Sequence, residues 1–121
     1  MIRCRMGEAL RILVLSVIAS GETHGYEIRN KITQLTCGAM KISPGTLYPL
    51  LFIMKKQGLI EVTKEETQGR KRKVYHITPK GKKYLLTKLP TTIKYLKETA
   101  NYLEKIQQTI EKQDKTPKHS S

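Results

Sequence analysis

Apolar residues return at helical spacing through the first half of the chain. Leu10, Leu13, Val14, Val17 and Ile18 follow one another by three, one, three and one positions, which is one face of an α-helix over about residues 7–20. Gly21-Glu22-Thr23 interrupts it. A second helix is predicted over about residues 24–36, with Ile28, Ile32 and Leu35 on its buried face and Gly38 ending the connection. The third has a strong start signal. Ser43 is a good N-cap, and Pro44 suits the first helical position, where no amide hydrogen is needed. Leu47, Leu50, Leu51 and Met54 form its buried stripe, and Gly58 is placed to end it. The pattern then turns to alternation. Leu59-Ile60-Glu61-Val62-Thr63 and Lys73-Val74-Tyr75-His76-Ile77 read as two short strands around a polar, Gly69-containing loop, hence a β-hairpin. Thr78-Pro79 opens a further helix expected to end near Pro90. A long amphipathic helix follows over about residues 91–112, and a polar stretch with Pro117 closes the chain.

Three helices followed by a two-stranded hairpin is the winged helix-turn-helix order, an α+β fold that is mostly α. The expected organisation is a winged helix-turn-helix domain over residues 1–87, a C-terminal dimerisation helix over 88–113 and a disordered tail over 114–121. A length of 121 residues suits one modest core with an extra helix.

Charge sharpens the picture. Lys and Arg number 23 against 10 Asp and Glu, a formal net charge of +13. Such a balance points to a polyanion, either nucleic acid or an anionic membrane surface, although Lys-rich surfaces also occur in thermostable proteins. The longest apolar stretch, residues 12–19, is too short to span a bilayer and is interrupted by Ser16, so no membrane role is expected. Cys4 and Cys37 form no CxxC pattern, which suits a reducing cytoplasm and no disulfide framework.

The third helix is sized for a DNA major groove, and the hairpin would be the wing. Arg70, Lys71, Arg72 and Lys73 follow one another there. Four cations at a loop tip repel, a cost that phosphates would offset; a solvated turn is the plainer alternative. The first turn of the third helix offers unpaired amides and partial positive charge, a phosphate site to which Thr46 and Tyr48 add hydroxyls. Tyr48, Pro49, Phe52 and Lys56 lie away from the Leu47–Leu51 stripe. Pro49 is unusual inside a helix, because it removes the hydrogen bond to the Gly45 carbonyl. Lys41, just before the helix, joins Lys56 among the candidate DNA contacts.

His24-Gly25-Tyr26-Glu27-Ile28, the run Ile42-Ser43-Pro44-Gly45-Thr46-Leu47-Tyr48-Pro49-Leu50-Leu51, Gly58-Leu59-Ile60, Gly69-Arg70, Val74-Tyr75 and Ile77-Thr78-Pro79-Lys80-Gly81 together resemble the PadR family of transcriptional regulators. The resemblance covers about residues 7–85, and the long last helix resembles the family's short-tailed branch. It implies that Ser43, Gly45, Thr46 and Tyr48 present the groove-facing start of a recognition helix and that Lys71 and its neighbours form the wing. It also implies a homodimer on an imperfect palindrome, commonly a repressor released by a small molecule or a stress signal. In one respect the chain departs from the family. Phe52 and Ile53 stand where basic residues are common, and two large apolar groups there are expected to pack on the C-terminal helix, across a two-fold axis or on a ligand. With no Trp, a Trp-based drug sandwich is not supported; Tyr95, Tyr102 and Phe52 are the aromatic residues left to serve one.

Ile93, Leu96, Ala100, Leu103, Gln107 and Ile110 are spaced three and four apart, an a/d heptad seam with one polar member, and are the expected dimer interface; folding back on the chain's own core is the alternative. His24, His76, His119, Cys4 and Cys37 are scattered, so no metal and no cofactor are expected. His24 should pack or cap at its corner, and the neighbours of Cys37 supply no charge to activate its thiol. No phosphate loop, nucleophile elbow or acid pair points to an enzyme. The expected partners are double-stranded DNA, a second copy of the chain and a small-molecule effector. Two rival functions are a sequence-tolerant architectural chromatin protein and a winged-helix protein-interaction module.

Overall fold

The structure, a computed structural model, describes residues 6–21, 23–67 and 69–115. Its elements are α1 (Met6–Ala19), β1 (Thr23–His24), α2 (Gly25–Leu35), α3 (Pro44–Lys56), β2 (Ile60–Thr67), β3 (Arg70–Ile77) and α4 (Pro79–Lys115). The chain divides into two units, Met1–Leu89 and Pro90–Ser121.

In the first unit the three helices pack with a small antiparallel sheet around one core. Leu15, Ile18, Ile28, Ile32, Leu47, Leu51 and Met54 are fully enclosed in it. Ile12 and Leu15 are buried as well as Val14, Val17 and Ile18, so α1 loses more of its circumference to the core than a single stripe implies. Leu35, expected on the buried face of α2, is exposed instead: it is the last residue of the helix, beyond the reach of the core.

The sheet differs from the expected two-stranded hairpin in two ways. A third strand, β1, pairs antiparallel with β3 through Thr23↔Tyr75 and His24↔Val74, giving the order β1-β3-β2. Two residues are too few for alternation to show. The hairpin is also longer than its apolar ends suggest. Pairing continues from Ile60↔Ile77 out to Thr67↔Arg70. The four cations therefore lie along β3 and not at a loop tip. Glu65 stands opposite Arg72, an opposite charge across the ladder that a loop tip would not have supplied.

The helix ends are set by local bonding. Leu59 N–H donates to Met54 O and Gly58 N–H to Lys55 O, both at 3.0 Å, a Schellman stop with Gly58 at φ +77°. A second such stop ends α2, where Gly38 N–H reaches Thr33 O at 2.8 Å and Cys37 adopts φ +53°. At the start of α4, Thr78 Oγ1 accepts the Gly81 N–H at 2.9 Å and donates to Gly58 O at 2.6 Å. Gly81 is needed there, because a Cβ would lie 2.0 Å from the Leu59 carbonyl oxygen.

The expected helix stop near Pro90 does not occur. Pro90 lies inside α4, which is assigned as helix through to Lys115. Proline forfeits one N–H bond, and Thr91 and Thr92 after it are poor helix formers, so the helix continues there against local propensity. Asp114 and Lys115, assigned to the expected tail, are helical; residues 116–121 lie outside the described residues.

In the second unit Ile93, Leu96, Ala100, Leu103, Gln107 and Ile110 are all exposed. Ile106 and Tyr102 are also exposed; Ile106, three positions from Leu103 and four from Ile110, widens the apolar stripe that the heptad reading left narrower.

Candidate nucleic-acid interface

Helix α3 is held from both ends. Before it, Arg29 Nε donates to Ile42 O at 2.7 Å, Thr33 Oγ1 to Met40 O at 3.2 Å, and Met40 N–H to Thr36 Oγ1 at 3.0 Å. These bonds fix the turn between α2 and α3. After it, Arg11 of α1 donates to the side-chain carbonyl of Gln57, the residue that caps α3. Ser43 occupies the N-cap position, but its hydroxyl donates to Thr46 Oγ1 at 3.2 Å and accepts no bond from a backbone amide of the helix. Ser43, Gly45 and Thr46 are all exposed. The expected row of unpaired first-turn amides is cut short: Pro44 has no N–H and the Thr46 N–H donates to Ser43 O at 3.1 Å, which leaves the Gly45 N–H alone in that turn.

With Leu47, Leu51 and Met54 buried, the opposite side of α3 carries Gly45, Pro49, Phe52 and Lys56. Phe52 is 59% exposed and Ile53 46%, so in the single chain neither is covered. Lys56 Nζ sits 5.2 Å from the centre of the Phe52 ring, a cation–π contact.

Tyr48 links α3 to the corner where β1 meets α2. Its hydroxyl passes so close to Gly25 that a Cβ there would be 2.6 Å from it. Gly25 thus makes room for its neighbour on α3, and the His24-Gly25-Tyr26 corner and the Ser43–Tyr48 run are two halves of one contact. Tyr48 nevertheless keeps 44% of its surface exposed. It packs on the corner and still leaves nearly half of its surface open to solvent. His24 is the N-cap of α2, and the Glu27 carboxylate accepts its N–H at 3.0 Å and lies 2.8 Å from its Nδ1. That backbone N–H, then the imidazole, hold the Glu27 carboxyl below its usual pKa. Burial, with the Tyr48 phenol as a lesser cause, raises the Tyr75 phenol above its ordinary value.

Two hollows flank Tyr48, and both are lined by Lys73 and Tyr75. One, of about 320 Å³, also takes in His24, Tyr26 and Arg72. The other, about 400 Å³, lies between α3 and the hairpin, lined by Phe52 and Lys55 from the helix and by Val62 and Lys64 from β2. The described residues lining it carry no acidic side chain. Lys64 and Lys73 are partners across the ladder. Like charges placed directly opposite destabilise a sheet unless an anion lies between them.

The structure therefore brings Tyr48, Arg72 and Lys73 of the expected DNA contacts together. Lys41 and Lys56 are exposed on either end of α3, while Arg70 and Lys71 are placed only by backbone register. Lys55, Lys64, Tyr26 and Tyr75 were missed. For Lys64 the signal was present: it continues the Ile60–Val62 alternation onto the face toward α3. Among the described residues no group of three or more His, Cys, Asp or Glu is arranged to hold a metal; Cys4 and His119 lie outside them. No helix among them is long and apolar enough to cross a membrane.

Residues 14–87, more than half of the chain, match the model of the transcriptional regulator PadR-like family. The chain belongs to the PadR-like family of transcriptional regulators. It is 36% identical over 76 residues to the transcriptional regulator YqjI of Escherichia coli, an alignment covering 63% of this chain but only 35% of that longer protein. It is 34% identical over 74 residues to the transcriptional regulator Rv3488 of Mycobacterium tuberculosis, covering 61% of this chain and 66% of the relative. Among solved structures, a transcriptional regulator from Clostridium thermocellum superposes with a TM-score of 0.70 at 29% identity, over 80% of this chain and 94% of that one. A PadR-like regulator from Bacillus cereus does so at 0.65 and 34% identity, over 81% and 93%. The winged-helix reading of the sequence holds, with the third strand and the longer wing added.

Proposed function

We propose that this PadR-like regulator binds double-stranded DNA as a homodimer, reading a palindromic operator and acting as a repressor. The observation that carries the DNA reading is the Lys64–Lys73 pair facing Lys55 across the hollow beside α3, a cluster of cations that a phosphate backbone would neutralise. Dimerisation is supported by the exposed stripe from Ile93 to Ile110, which leaves large apolar residues in water in the single chain. A two-fold dimer would present two α3 helices about one DNA turn apart, roughly 34 Å or a multiple of it. Release by a small-molecule effector or a stress signal belongs to the same reading and is supported by the family resemblance.

The basic surface also suits an architectural protein that binds any sequence. Competition separates the two. Duplex selected by the protein from a random library should outcompete bulk DNA by about 10³-fold or more. Equal competition by bulk DNA would assign the protein to the sequence-tolerant class.

A further inference from the structure

Phe52 is placed where a DNA-reading helix would carry a base contact, yet it offers no hydrogen bond. It shares the outward ridge of α3 with Gly45, Pro49 and Lys56, every third or fourth residue opposite the buried stripe. That ridge is apolar until Lys56. Its surroundings are not: Lys55, Lys64 and Lys73 line the hollow that Phe52 borders, and Lys56 sits over its ring. An exposed apolar ridge ringed by cations complements a surface that is apolar at its floor and anionic at its walls. The DNA major groove has that form wherever thymine C5-methyl groups line its floor between phosphate ridges.

We infer that Phe52 reads thymine, its ring resting on C5-methyl groups in the major groove while Lys55, Lys56 and Lys64 hold the flanking phosphates. The inference rests on the proposed DNA binding and names what the middle of α3 recognises. It assigns Phe52 to DNA and not to an interface between copies of the chain, because a ring of lysines suits a polyanion and would repel its own image across a two-fold axis.

The test uses the full chain and a duplex it selects from a random library, compared with the same duplex carrying deoxyuridine for every thymine, which removes only the methyls. Wild type should bind the deoxyuridine duplex more weakly, by about fourfold for each methyl in contact. Phe52→Ala should bind the thymine duplex more weakly and no longer distinguish the two; Phe52→Leu should keep part of the discrimination. Phe52 is exposed, so neither change threatens the fold. Wild type binding both duplexes equally would overturn the inference while leaving DNA binding intact. So would Phe52→Ala discriminating as well as wild type. A Phe52→Ala chain that sediments as a monomer where wild type is a dimer would place Phe52 in the interface between copies instead. If no duplex binds, the parent reading fails together with this one.

Discussion

Gly25 and Gly81 each leave room for a neighbour, but the neighbours differ in kind. The atom facing Gly81 is the Leu59 backbone carbonyl, which cannot move without disturbing the junction of α3, β2 and α4. Gly81→Ala should cost about 3 kcal/mol, read as a lower urea midpoint with an unchanged slope. The atom facing Gly25 is the tip of Tyr48, a half-exposed side chain that can swing outward. Gly25→Ala should cost about 1 kcal/mol or less yet weaken DNA binding, because Tyr48 leaves the hollow it shares with Lys73. Equal losses of stability in the two variants would contradict this distinction. Glu27 supplies a pH signature at the same corner. Its folded pKa is depressed, so its contribution to stability is present above the ordinary carboxylate pKa and is lost as pH falls through the folded value. The stability difference between wild type and Glu27→Gln should therefore shrink on going from neutral pH into that acidic range. A constant difference would show that the His24 contacts do not hold the carboxylate ionised.

At the scale of elements, the proposed homodimer rests on the exposed apolar stripe of α4. Leu96→Glu with Leu103→Glu puts two charges on the seam and leaves the core of the first unit untouched. The doubly substituted chain should sediment as a monomer, keep the unfolding midpoint of its winged helix and lose operator affinity by orders of magnitude, since two linked half-sites become one. A dimer that persists would place the interface elsewhere. Which elements were legible follows from how each is encoded. The Ser43-Pro44 start and Gly58 stop of α3 are local signals, and the structure has them in place. Strand β1 is a two-residue segment defined only by its pairing with β3, so nothing local announces it. The outer hairpin was hidden because its cross-strand partners are charged, Glu65 with Arg72 and Glu66 with Lys71, and apolar alternation is silent there. The candidate site follows the same division. Tyr48 and Lys73 were visible as motif and charge run, whereas Lys55 and Lys64 became part of it only once the register set them beside one another.

For the whole molecule, a net charge of +13 gives attraction to any polyanion, but the fold concentrates its effect. The α3 helix, the hairpin and the corner at Gly25 meet around Tyr48, Lys73 and Tyr75, so the proposed groove entry and phosphate anchoring would fall to one surface. General basicity and a built interface differ in how binding depends on salt. The deciding measurement is affinity for the selected duplex as a function of salt concentration, for wild type and for Lys64→Gln with Lys73→Gln. Each phosphate contact adds about 0.9 to the slope of log affinity against log salt, so removing the pair should flatten it by roughly two for each protomer and weaken binding at every salt concentration. An unchanged slope and affinity would contradict the account, because the paired lysines beside α3 would then not be touching DNA.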